Sequence, residues 1–420
     1  MIQTTEILPG ITLRVFPDDR FKQNCLSLQF IRPMQAEEAA LNALLPAVLL
    51  RGCESAPDLR DITLRLDDLY GASVGALVRR IGDYQTTGMS CGFISDRFAL
   101  DGDKILAPML DFLRQLLLEP VLENGIFRAD YVQSEKKNLI ATIQAQKNDK
   151  RAYCTAQMLK KMCACDSYGL SRLGGAEDVS PITPKALFDH YQKVLRESPV
   201  HICYVGQDPE NRLPELLRDI FRDIPRDYVN LPPQTHFHSA GGGEHTEVLD
   251  IAQGKLCMGY STDIDLRHGN FAAMQVCNML FGGGMTSKLF MNVREKMSLC
   301  YDIGSHFHGS KGIVTVSAGI DCHKYDTVRS QVQTQLDALC NGQVTDDEMY
   351  AAKQALISGL RGTHDSPGSI ESYYASAALS GLSLTPAEYI AAIEKVDIPA
   401  VSAAARSLKL DTVYFLKGVQ

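Results

Sequence analysis

The amino-acid sequence predicts an α+β protein of two similar domains, each a largely antiparallel sheet with helices packed on one face. Three observations carry that prediction. The 420 residues exceed the roughly 100–200 residues that one hydrophobic core usually serves. Each half opens on strand-like runs and continues into a block of helical periodicity, the order that gives α+β layers. The halves also echo one another: a helix carrying Lys137-Asn138-Leu139-Ile140 is matched 217 positions later by one carrying Gln354-Ala355-Leu356-Ile357.

In the first half, Thr12-Leu13-Arg14-Val15-Phe16 and residues 25–31 read as strands, being short runs rich in apolar and β-branched side chains. Helical stretches follow at 126–146, 152–164 and 183–195, and Val200-His201-Ile202-Cys203-Tyr204-Val205-Gly206 returns to strand. In the second half the strand-like run is 255–261. Helices are expected at 345–359, 369–378, 385–395 and 401–408, and Thr412-Val413-Tyr414-Phe415-Leu416 closes as a strand. Between the halves, residues 226–245 hold Pro232, Pro233 and the run Gly241-Gly242-Gly243 with few large apolar residues, the composition of a linker. The expected domains are therefore 1–225 and 246–420.

Composition narrows the function classes. Hydrophobic residues at 45% and charged residues at 22% suit a globular chain with sizeable cores. The 42 basic and 50 acidic residues leave a net charge of −8 with no basic run, which argues against nucleic acid or an anionic membrane as a partner. Met1-Ile2-Gln3-Thr4-Thr5-Glu6 lacks the basic start and apolar core of a signal peptide. Apolar runs such as 44–50 fall well short of the roughly 20 residues that span a bilayer, so a cytoplasmic protein is expected. Twelve cysteines lie without framework spacing, as reduced and mostly buried thiols do. Cys163 and Cys165 are separated by one residue, too close for the gap of a zinc knuckle.

The most specific block runs Phe281-Gly282-Gly283-Gly284-Met285-Thr286-Ser287-Lys288-Leu289-Phe290-Met291-Asn292-Val293-Arg294-Glu295-Lys296 and on through Met297-Ser298-Leu299-Cys300-Tyr301. A glycine-rich turn precedes a helix that ends near Arg294-Glu295-Lys296, and Tyr301 then enters a strand. This block resembles the second domain of the pitrilysin/insulinase-type zinc peptidases, the inverted-motif group that includes mitochondrial processing peptidase. The first half is similar too. Leu66-Asp67-Asp68-Leu69-Tyr70-Gly71-Ala72-Ser73-Val74 resembles the family's helix-to-strand passage, and Tyr168-Gly169, Gly174, Pro181-Ile182-Thr183 and Val205-Gly206 follow its order. The resemblance spans about residues 10–418.

Active members of that family carry His-x-x-Glu-His on a helix of the first domain. Two histidines bind zinc, the glutamate activates water, and a glutamate roughly 80 residues on completes the shell. Here the matching helix reads Ala43-Leu44-Leu45-Pro46-Ala47: both histidine positions are alanine, Ala43 and Ala47, and the general-base position is Pro46. The absence does not rest on alignment, because the first histidine in the chain is His190. Glu135 falls near the distal ligand's place and reads as a helix-surface glutamate. His306 and His308 alternate on a strand and His236 and His238 sit in the linker, with no third ligand at a recognisable spacing. No metal and no cofactor is expected in this chain; the resemblance implies zinc only in a partner subunit.

The resemblance also implies what is kept. In the family, an Arg and a Tyr of the second domain hydrogen-bond the substrate backbone near the scissile bond and help stabilise the oxyanion; Arg294 and Tyr301 match them. Arginine offers a permanent charge and several donors, tyrosine one hydroxyl. Outside that context, an arginine at a helix end and a tyrosine at a strand start serve structure alone. Gly282, Gly283 and Gly284 lack the Gly-Lys-Ser/Thr ending of a phosphate loop and are expected to leave backbone groups open to a peptide. The expectation is a non-catalytic subunit of a heterodimeric zinc metallopeptidase. It binds peptide and lends Arg294 and Tyr301 to a zinc-containing partner of the same family, or forms a homodimer in that partner's absence. A scaffold subunit of a complex without peptidase activity is the alternative.

Overall fold

A computed structural model of the chain describes residues 2–208, 210–239 and 241–418. It contains two large sheets. The first is built from β1 (Gln3–Leu8), β2 (Ile11–Pro17), β3 (Gln23–Pro33), β4 (Ser73–Ile81) and β5 (Tyr84–Ile94). After a separate small ladder of β6 (Leu122–Glu123) and β7 (Ile126–Phe127), β8 (Val200–Gly206) returns to it, giving the order β1-β2-β8-β3-β5-β4. The second contains β9 (Glu244–Leu249), β10 (Gly254–Ser261), β11 (Cys300–His308), β12 (Ile313–Ile320) and β13 (Lys409–Gly418), in the order β11-β12-β10-β13-β9. Neighbouring strands are antiparallel except β2 with β8 and β13 with β9. Without β1 the two plans coincide: β2, β8, β3, β5 and β4 correspond to β9, β13, β10, β12 and β11.

The compact units do not follow a single cut in the chain. One holds the chain up to Gln144, then Ser171–Pro233 and His364–Ser376; the other holds Ala145–Leu170, Gln234–Thr363 and the chain from Ala377 on. Each unit thus takes a helix from the other half: Lys150–Met162 joins the second unit and most of Pro367–Ser380 joins the first. Lys150 and Pro367 are 217 positions apart, the interval of the repeat.

The pleat explains why each sheet needs that extra helix. In β3, Leu26, Leu28 and Phe30 point into the large core, while Ser27 and Gln29 are buried on the opposite face. There Glu371 of the exchanged helix accepts hydrogen bonds from Ser27 Oγ at 2.6 Å, Gln29 Nε2 at 3.2 Å and both Arg79 Nη atoms, at 2.9 and 2.8 Å. In the second unit the exchanged helix packs Cys154, Met158 and Met162 against Cys257, Tyr414 and Leu416. A Cβ on Gly259 of β10 would stand 2.6 Å from the sulfurs of Met158 and Met162, so any side chain there would have to push both methionines aside.

The helix Ala36–Leu49 carries Pro46 in its interior. Proline has no N–H, so the Asn42 carbonyl one turn back loses its helical donor. Thr87 Oγ1 of β5 supplies a substitute at 2.7 Å. The Asn42 side chain donates to Gln85 Oε1 at 2.8 Å and accepts from His190 Nε2 at 2.8 Å. Glu38 accepts from Arg32 Nε and Nη2 at 2.9 and 2.8 Å and from Lys193 Nζ at 2.7 Å. Burial disfavours the Glu38 carboxylate, but these donors overcome it and hold the carboxyl at about 2. Burial pushes the His190 imidazole down to about 4, against the pull of Glu38.

Two stability predictions follow from this network. Thr87→Val orphans a buried carbonyl and lowers unfolding free energy by about 1–3 kcal/mol, whereas Thr87→Ser keeps the donor; denaturant titration of both variants checks it. His190 takes up a proton near 6.5 in the unfolded chain and near 4 in the folded one. Its contribution is therefore whole above pH 6.5 and is lost as pH falls toward 4, on the order of 3 kcal/mol. His190→Gln, whose amide can replace the Nε2–H donor, shrinks the stability loss between pH 7 and pH 4 by about that amount, and a loss equal to wild type contradicts the assignment.

Candidate functional site

The positions expected to have lost a zinc motif all lie on the helix Ala36–Leu49 of the first unit. Ala43 is buried, Pro46 is buried against the sheet and Ala47 is half-buried. Two methyl groups and a pyrrolidine ring offer a metal no lone pair. Glu135, on the helix Ala129–Ala145, is ion-paired with Arg51 Nη1 at 3.3 Å, and the Arg51 guanidinium lies over the Tyr131 ring at 5.2 Å. The carboxylate nearest the distal ligand's place is thus already matched by a cation, and the donor set does not fit zinc.

Elsewhere, His308 engages both ring nitrogens, with the Tyr168 hydroxyl at 2.9 Å and Thr315 Oγ1 at 3.1 Å. His236 does the same with Asp265 at 3.2 Å and the Thr262 carbonyl at 2.6 Å. Cys163 is buried and Cys165 exposed. Among the described residues, no group of three or more His, Cys, Asp or Glu side chains could hold a metal ion.

Arg294 and Tyr301, by contrast, come together in the second unit. Arg294 lies on Leu289–Lys296, an eight-residue stretch wound as a π-helix, a winding frequent at functional sites. The stretch closes at Ser298, whose φ of +51° is rare for a residue other than glycine. In the next strand, Cys300 pairs with Ile320 and Asp302 with Gly319, so Tyr301 is the extra residue of a β-bulge. A bulge removes one residue from the ladder and re-aims its side chain. The Tyr301 carbonyl accepts from Arg294 Nε at 2.9 Å instead.

The Arg294 guanidinium stacks over Phe290 at 4.6 Å, and Nη1 bonds Glu295. The Tyr301 hydroxyl donates to Asp321 Oδ1 at 2.8 Å, and its ring is 53% exposed. That hydrogen bond to a carboxylate raises the phenol's pKa, and the same contact, with Lys324, lowers that of Asp321. Lys324 Nζ stands 3.3 Å from Asp321 Oδ2 and donates to the Ser298 carbonyl at 3.2 Å. The Ser298 N–H donates in turn to the Arg294 carbonyl at 3.1 Å, which closes a ring of five residues. These residues line an open pocket of about 370 Å³ together with Glu295, Leu299 and Cys300.

The glycines that precede the pair do not form a left-handed turn. Gly282 and Gly283 lie in a π-helical stretch, Met279–Gly283, and Gly284 is extended with φ −151°. Gly282 is buried, and a Cβ there would stand 2.6 Å from the backbone nitrogen of Ser305 in β11; Gly283 is exposed. The run thus lets the helical segment press against the strand that carries Tyr301.

Chemically, the pocket offers guanidinium donors, a phenol and two charges of each sign. Sequence reading did not single out Asp321, Lys324, Glu295 or Ser298. Asp321 meets Tyr301 only through the register of the hairpin that folds at His308–Ile313, which brings the residue after 320 beside it.

A family profile described as peptidase M16 inactive domain matches residues 181–356. The chain is 30% identical over 411 residues, 98% of its length and 96% of the relative's, to a protein of Bacillus subtilis (strain 168) named probable inactive metalloprotease YmfF. Among solved structures, a conserved protein from Enterococcus faecalis V583 superposes with a TM-score of 0.93 at 28% identity, over 100% of this chain and 99% of that one. A peptidase M16 inactive domain from Pseudomonas fluorescens reaches 0.82 at 19% identity, over 100% and 98% of the two chains, a likeness of fold. The two-domain α+β architecture and the family resemblance are both borne out. Among the described residues, no helix is long and apolar enough to cross a membrane. A relative of nearly equal length at this identity, itself named a probable inactive metalloprotease, together with the matching profile, makes the chain an inactive member of the peptidase M16 family.

Proposed function

We propose that this chain is the non-catalytic subunit of a heterodimeric zinc metallopeptidase, binding the peptide substrate and supplying Arg294 and Tyr301 in trans to a zinc-bearing partner of the same family. One observation carries the reading. Both histidine positions and the general-base position are filled by Ala43, Ala47 and Pro46, yet Arg294 and Tyr301 remain linked through the Tyr301 carbonyl in the lining of an open pocket.

Packing alone gives little reason for that arrangement. A bulge costs a ladder pairing, Ser298 holds a left-handed backbone at +51°, and such strain persists where it serves a site. A side chain as exposed as Tyr301, at 53%, adds little to a core. Arginine and tyrosine donors aimed at a peptide carbonyl stabilise developing negative charge without themselves activating water. Exposed Gly283 adds backbone groups that a peptide can reach.

The test is reconstitution. The purified chain alone should carry no stoichiometric zinc and cleave no unfolded polypeptide. Added to a zinc-bearing M16 subunit encoded in the same genome, it should restore chelator-sensitive cleavage. Arg294→Ala in this chain should then slow cleavage by roughly 10²–10³-fold, the usual cost of one oxyanion donor, with Tyr301→Phe slower than wild type as well. Rates equal to wild type in both variants exclude the trans-acting role. A stable complex that cleaves nothing under any pairing leaves a scaffold subunit instead.

A further inference from the structure

A phenol has one proton to give, and Tyr301 gives it to Asp321 at 2.8 Å. A hydrogen bond to a carboxylate is stronger than one to a neutral carbonyl. With the ring closed, Tyr301 therefore offers an incoming peptide lone pairs but no donor. The Asp321 carboxylate is itself tethered: its second oxygen faces Lys324 Nζ at 3.3 Å, and that ammonium is anchored on the Ser298 carbonyl at 3.2 Å. Asp321 follows β12 directly and Tyr301 is the bulged residue of β11, so neighbouring strands hold the two ends of the contact in register.

We propose that Asp321 is a positioning residue that keeps Tyr301 in a resting state by competing with the substrate carbonyl for the phenol proton, with Lys324 steadying the carboxylate. The proposal rests on the reading of Arg294 and Tyr301 as peptide contacts. It adds a condition to that reading: Arg294 engages a peptide at once, whereas Tyr301 donates only after Asp321 releases it. A subunit built this way holds peptides weakly by itself, because the gain from the tyrosine contact is offset by breaking the Asp321 bond, and Arg294 carries the binding.

The experiment uses the full chain and fluorescein-labelled β-casein, a disordered polypeptide, with binding read by fluorescence anisotropy. Asp321→Asn keeps the shape and an acceptor but removes the charge, and should tighten binding roughly five- to tenfold, the difference between a charged and a neutral acceptor for the phenol. Asp321→Ala should act in the same direction. In a Tyr301→Phe background Asp321→Asn should change nothing, since there is no phenol proton to release. If Arg294→Ala weakens casein binding while Asp321→Asn leaves it unchanged or weaker, the resting-state role fails and the peptide-contact reading stands. If binding is absent throughout, or indifferent to Arg294→Ala, that reading falls and the competition falls with it. An independent readout needs no peptide. With ¹³Cζ-tyrosine label and the Tyr301 resonance assigned through Tyr301→Phe, the phenol should ionise at lower pH in Asp321→Asn than in wild type. Equal titrations overturn the proposal.

Discussion

A sheet has two faces, and a run of helices that follows its strands in sequence covers only one of them. In this chain each remaining face is closed by a helix from the opposite half, and the two closures use different chemistry. In the first unit the face is polar, and the Glu371 carboxylate, 3% exposed, accepts hydrogen bonds from Ser27, Gln29 and Arg79 together. Glu371 is buried and Arg79 only partly so, and removing Arg79 leaves the buried carboxylate without its cation. In the second unit the contact is apolar, sulfur and aromatic side chains against the gap left by Gly259. There Arg151 of the exchanged helix also reaches β11 and β12, with Ser317 Oγ at 2.9 Å and Asp302 at 3.7 Å. Asp302 is the neighbour of Tyr301. The helix lent by the first half therefore steadies the bulge on which the candidate site is built.

The helix Ala36–Leu49 is held by hydrogen bonds on its buried side. Its buried polar residues, Glu38 and Asn42, are fully engaged in hydrogen bonds to Arg32, Lys193, Gln85 and His190. Pro46 would break a helix of ordinary surroundings, yet Thr87 repairs the one carbonyl it orphans. Arg51 gives Glu135 a permanent cation. Arginine cannot polarise a water molecule as zinc does, but it balances a carboxylate with none of the geometry that zinc demands. The position is stable without being catalytic.

Much of this was legible in the sequence, and the rest was illegible for a physical reason. Strands whose apolar character is continuous declared themselves; residues 200–206 coincide with β8, and 255–261 differ from β10 by one residue. The helices at 152–164 and 369–378 were also legible as helices. Their exchange was not, because helical period says which face is apolar and nothing of which sheet receives it. The Gly282-Gly283-Gly284 run read as a turn, and its packing reason emerges only when Ser305 is seen beside Gly282. Arg294 and Tyr301 were legible as a spaced pair. Asp321 and Lys324 were not, since they meet Tyr301 through hairpin register across some twenty residues.

The two retained residues are not equivalent, and the difference follows from counting donors. A guanidinium has five N–H groups. Arg294 commits Nε to the Tyr301 carbonyl and Nη1 to Glu295, which leaves N–H donors of the guanidinium uncommitted while the ring is closed. The phenol has one proton, and Asp321 holds it. The same contact that orders the guanidinium, Nε to the Tyr301 carbonyl, uses a backbone oxygen set free by the bulge and leaves the tyrosine side chain independent of it. Arginine placement and tyrosine availability are thus governed by separate bonds, and a single substitution can alter one while sparing the other.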